Sequence, residues 1–102
     1  MSVAETVQRR LTQLGVELRR VREELRIADE ELAHFRSEAD DARLQALVSD
    51  RRDADRAQRE AQRSMEAIAR QRDRLAAEVA RLEQDQDALL DRLADARRQE
   101  SS

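Results

Sequence analysis

The sequence has no cysteine, proline, tryptophan or tyrosine, and only one phenylalanine and one glycine in 102 residues. Each absence removes a class of protein. Without cysteine there is neither a disulfide framework nor a thiolate metal site. Strands favour aromatic and β-branched residues and need turn punctuation, so a β-sandwich or barrel is excluded. One glycine cannot build a phosphate-cradling loop. No apolar run approaches the roughly 20 residues that span a bilayer. The N-terminus lacks the apolar stretch of a signal peptide. A soluble cytoplasmic protein is expected. Lysine is missing too, so all 20 basic residues are arginine. Together with abundant alanine, that matches GC-rich coding and points to a high-G+C bacterium.

What remains is 42% charged and 39% hydrophobic, with a net charge of −3. So much charge suggests disorder, but disordered chains are rich in Pro, Gly and Ser. This chain is rich in Ala, Leu, Arg, Glu and Gln, which are strong helix formers. Such a composition marks coiled coils and long helices. Residues 1–51 carry 9 arginines and 11 acids, and residues 52–102 carry 11 and 12. No basic face stands out, so direct nucleic-acid binding is not expected.

The apolar residues form two heptad seams. In the first, Ala4, Leu11, Leu18, Leu25, Leu32, Ala39 and Ala46 occupy a positions. Val7, Leu14, Val21, Ala28, Phe35, Ala42 and Ser49 occupy d. These alternate by three and four without a break, as a coiled-coil seam requires. In the second seam, Ala54, Ala61, Ile68, Leu75, Leu82, Leu89 and Ala96 occupy d. Gln58, Met65, Arg72, Val79, Gln86 and Leu93 occupy a. The frame slips by five residues between Ala46 and Gln58. Common coiled-coil discontinuities insert three or four residues, so a turn explains the slip more simply.

The turn is expected at Ser49-Asp50-Arg51-Arg52-Asp53, because Ser and Asp side chains accept from free backbone N–H groups. The expected architecture is therefore all-α, a single helical hairpin over 1–102. Helix 1 covers about 3–48, the turn about 49–53 and helix 2 about 53–98. Ser2-Val3-Ala4-Glu5 reads as a capping box, and Arg97 and Arg98 suit the negative pole of the second helix. One continuous helix in a parallel dimer is the competing fold. Folding the chain at Asp50 pairs residues whose numbers sum to 100. Val7 then meets Leu93, Leu18 meets Leu82, Val21 meets Val79 and Leu32 meets Ile68. Small residues meet small ones near the turn, as with Ala39 and Ala61. Layers Leu14–Gln86 and Ala28–Arg72 fit least well, though Arg72 can lay its stem over Ala28 and keep its head in water.

Such an antiparallel coiled-coil hairpin is a thin rod, with each arm roughly 65–70 Å long. One seam makes a marginal core, so self-association into a homodimeric four-helix bundle is expected. Ala69, Ala76 and Leu90 lie beside the second seam at e positions, near Ala77 and Ala80, and widen its apolar stripe. Alternatively, alanine there is simply a good helix former. Glu17, Glu24, Glu31 and Glu38 take successive g positions, facing Glu78 and Asp85. That acidic ridge either selects a partner or serves solubility. Gln58, Arg72 and Gln86 in the seam read as register-fixing residues. Gly15 inside helix 1 either costs helix stability or allows a close approach.

At the tip, Leu44, Leu47 and Val48 face away from the seam. They form either a partner site or a hydrophobic cap over the turn. Asp50 and Asp53 lie beside them. Tip acids on a helical hairpin resemble the coiled-coil arm of bacterial Gre-type transcript-cleavage factors. That resemblance implies a regulator of RNA polymerase whose tip acids, here Asp50 and Asp53, help to hold a metal ion. The globular domain that docks such factors has no counterpart in the sequence. The length and central turn are also similar to the secreted WXG-type hairpins, in shape only, because Ser49-Asp50-Arg51 stands in place of their Trp-x-Gly. No specific family is recognised.

No residues assemble into a catalytic constellation. His34 is the only histidine and sits on an outer face, and the carboxylates have no pocket to dry them. The expected function is a non-enzymatic coiled-coil protein–protein interaction module, a scaffold, adaptor or spacer. It needs no cofactor, metal, membrane, small molecule or nucleic acid. Its partners are itself and another protein, met through Leu44, Leu47, Val48, Asp50, Asp53, Ala69, Ala76 and Leu90. The alternative is a regulator of a larger enzyme acting through the acidic tip.

Overall fold

The computed structural model describes residues 2–49 and 52–102. Asp50 and Arg51, central to the expected turn, lie outside the described residues. Helix α1 spans Val3–Val48 and helix α2 spans Arg52–Glu100, with no strand among the described residues. The fold is an all-α antiparallel helical hairpin. No helix of the described residues is long and apolar enough to cross a membrane.

Local chemistry explains where the helices start and stop. Ser2 Oγ accepts from the Glu5 N–H at 3.2 Å, and the Thr6 N–H donates to the Ser2 carbonyl at 3.2 Å. Ser2 is thus the N-cap of α1. Helix α2 opens at Arg52, inside the stretch expected to turn, and carries Asp53 and Asp55 in its first turn. Acids there suit the positive helix pole, which favours an early start. At the far end Arg97 and Arg98 occupy the last turn. The Ser101 hydroxyl and amide both donate to the Arg97 carbonyl, at 2.8 and 3.2 Å, and close the helix two residues beyond Arg98.

The burial pattern follows the heptads. All 27 a and d positions assigned from the sequence are buried or half-buried. Among the other described residues only Gly15, Glu17, Ala69, Ala76 and Glu78 escape full exposure, and every one of these borders the seam. A period of 3.5 residues keeps one narrow stripe facing the neighbouring helix, and this sequence places its apolar side chains on that stripe.

The chain divides into two compact units. A terminal unit joins Met1–Glu23 to Ala76–Ser102, and a turn unit comprises Glu24–Leu75. In the terminal unit, Ala4, Val7, Leu89, Leu93 and Ala96 form one buried cluster, with Leu11 and Leu14 packed against it. Leu18 and Val21 are buried to 2% and 0% exposure. Burying each such Leu or Val contributes about 1.5–3 kcal/mol. Ala4 with Ala96 and Val7 with Leu93 share that cluster, the antiparallel pairing of residues that sum to 100.

In the turn unit only Ala28 and Leu32 are fully buried among the described residues. Leu25, Phe35, Met65, Ile68 and Leu75 are half-buried despite their size. Shallow grooves open beside them. One of about 190 Å³ is lined by Arg36, Ala39, Asp40, Arg43, Gln58, Gln62 and Met65. Here Arg72 links the two helices, its Nε donating to Asp29 Oδ1 at 2.7 Å.

Candidate functional site

The tip cluster stays open. Leu44, Leu47 and Val48 are 57%, 77% and 88% exposed, so they do not fold over the turn as a cap. The cause is helical geometry. Helix α1 continues unbroken to Val48, so the f, b and c positions point away from α2 to the last residue. A groove of about 340 Å³ runs beside Val48, lined also by Gln45, Ser49, Asp53, Ala54 and Ala57. Asp53 is exposed on the first turn of α2 and helps to line that groove. The structure therefore brings Val48 and Asp53 together. Asp50 falls outside the described residues.

The residues on the flank of α2 divide between the units. Ala69 belongs to the turn unit and is half-buried. Ala76 and Leu90 belong to the terminal unit, Ala76 half-buried and Leu90 49% exposed. Ala77 and Ala80 are exposed. An e position touches the edge of the facing helix, so a small residue there is partly covered and a large one protrudes. Of the two readings of Gly15, a close approach within the hairpin is not found. A Cβ added there would meet only Arg19 Nη1, at 3.8 Å.

Two cross-helix ion pairs escaped the reading of the sequence. Arg22 meets Glu83 at 3.7 Å and Arg72 meets Asp29 at 2.7 Å. Arg22, Asp29 and Glu83 are all e residues. The signal was available, because antiparallel pairing puts e opposite e, but the acidic g positions drew the attention instead. Arg72 lies in the seam over buried Ala28 and reaches Asp29 beside it. The Asp29 hydrogen bond first, and its charge second, raise the Arg72 pKa above its ordinary value. Asp73 adds to this at 3.5 Å.

Some acids of the ridge and of the facing helix have partners on their own helix. Arg20 lies 3.9 Å from Glu17, Arg81 lies 3.9 Å from Glu78, and His34 Nε2 lies 2.9 Å from Glu38. Intrahelical partners three or four residues away serve acids that face other acids across the seam. Such exposed pairs contribute at most about 1 kcal/mol each. Among the described residues no three His, Asp or Glu side chains are placed to hold a metal ion.

The site and fold together define a helical hairpin with an apolar tip and one alanine-rich flank. No family model matches the chain, and neither a curated protein nor a solved structure matches it.

Proposed function

We propose that this chain is a non-enzymatic coiled-coil interaction module of the bacterial cytoplasm, a scaffold, adaptor or spacer that binds another protein through its tip. The observation that carries this reading is the exposure of Leu44, Leu47 and Val48 on the last turns of α1. Three large aliphatic side chains on one helix end lose favourable burial, about 1.5–3 kcal/mol each, unless a partner covers them. The neighbouring groove is lined by both polar residues, Gln45, Ser49 and Asp53, and apolar ones, Val48, Ala54 and Ala57. Protein interfaces share that anatomy.

The test is capture of partners from a native lysate with the wild-type chain and with a Leu47→Asp, Val48→Asp variant. Both positions are exposed, so helicity by circular dichroism should not change. The variant is expected to lose a partner that the wild type retains. Identical captured sets would overturn the tip as the site. An Asp53→Asn variant separates the second reading, in which the tip regulates a larger enzyme through its acids. Loss of regulation with partner binding intact would favour that reading.

A further inference from the structure

We infer that the terminal unit pairs with a second copy of this chain along one flank, Leu90 of each copy seating over Gly15 of the other. This rests on the interaction-module reading and names a first partner for it. The flank is marked by the Arg22–Glu83 ion pair, which joins an e position of α1 to an e position of α2 at 3.7 Å. One heptad nearer the termini on each helix stand Gly15 and Leu90. They therefore share a level on the same side. Leu90 is a knob, 49% exposed. Gly15 is a notch, where within 4 Å an added carbon would meet only the far end of the Arg19 side chain. A mid-helix glycine is unfavourable by about 1 kcal/mol relative to alanine, and its own hairpin brings only the movable end of Arg19 near the space that it opens.

Charge identifies the occupant. On this flank, from Gly15 and Leu90 inward, α1 carries Arg19 and Arg22, whereas α2 carries Glu83 and Asp87; nearer the termini Glu5 on α1 and Arg97 on α2 are again opposite in sign. A two-fold axis parallel to the helices lays α1 of one copy on α2 of the other. Rotation about such an axis preserves height, so residues that share a level within a copy also share it across the pair. Cations then meet anions, and Leu90 meets Gly15. A two-fold axis across the helices would lay α1 on α1 and set Arg19 and Arg22 against themselves. The opposite flank carries Glu17, Glu78 and Asp85 on both helices. Arg10, Arg20, Arg81 and Arg92 lie among these acids, so that flank mixes both signs on each helix and lacks the division of charge between α1 and α2 that favours one pairing. Half-buried Ala76 and exposed Ala80 leave room for a facing helix on the favoured side. The product is an antiparallel four-helix arrangement with each helix beside two of opposite direction.

Sedimentation equilibrium on the full chain tests this. The wild type is expected to sediment as a concentration-dependent dimer of the 11.8 kDa chain. Leu90→Asp and Gly15→Leu should each weaken the dimer by about tenfold or more, the fold-change that follows from losing one apolar contact. Helicity should be kept, and in Gly15→Leu it should rise. Asp87→Arg should weaken the dimer, and adding Arg19→Glu should restore it. A chain that is monomeric at every concentration would overturn the proposal, while leaving the tip capture experiment free to succeed. So would a dimer indifferent to Leu90→Asp and Gly15→Leu, or a charge reversal that its counterpart does not rescue.

Discussion

The terminal and turn units share one heptad register and differ in what it buries. In the terminal unit Leu and Val face Leu and Val, and Val7, Leu18, Val21 and Leu82 are at most 2% exposed. In the turn unit the seam runs through Ala39, Ala42, Ala46, Ala54 and Ala61, all half-buried. Periodicity thus decides which residues face the other helix, and side-chain size decides how dry the seam becomes. Large residues do not rescue a layer alone. Ile68 and Leu75 are half-buried, and Arg72 stands between them in the seam. Close packing needs partners on every side.

This difference can be broken or sharpened by substitution. Leu18→Ala, in the terminal unit, is expected to destabilise the chain by about 3 kcal/mol, as cavity-forming changes do. The same change at Leu75 in the turn unit should cost less, roughly 2 kcal/mol, because that side chain is only partly buried. Urea denaturation of the two variants at one concentration compares them directly, and equal losses would erase the distinction. Filling the turn unit should narrow the gap. Gln58→Leu places an apolar side chain at a half-buried seam position beside an open groove. It should add about 1 kcal/mol, read as a higher midpoint in the same titration. Gly15→Ala should strengthen the already stronger unit by about 0.5–1 kcal/mol, since its new methyl group meets only Arg19. Thermal melts at a concentration that keeps the chain monomeric would show it as a higher Tm. Ser2→Ala removes the cap of α1 and should cost about 0.5 kcal/mol, confined to faster amide exchange over residues 3–6.

Much of this architecture was legible in the sequence. The two seams and their phase slip follow from periodicity, and the end of α1 near Val48 from the slip together with the turn-forming Ser49. What escaped was three-dimensional. Burial depends on all neighbours of a layer, so the half-exposure of Phe35 and Met65 cannot be read from their own heptad letters. The fate of Leu44, Leu47 and Val48, cap or open surface, depended on whether α1 unwinds before the turn, and it does not. Arg72 was expected to send its head to water over Ala28. Asp29 stands one residue further along α1, within reach, and captures it. Of the candidate tip residues, Val48 and Asp53 line one groove, a proximity that heptad letters do not encode.

The central claim is that one register holds both units while burial concentrates in the terminal one. Native-state hydrogen exchange, resolved by residue, tests it most directly. The slowest amides are expected at 7–21 and 79–93, with those at 39–48 and 54–65 exchanging first through local opening. Slowest exchange around the tip, or uniform protection along both helices, would contradict the account.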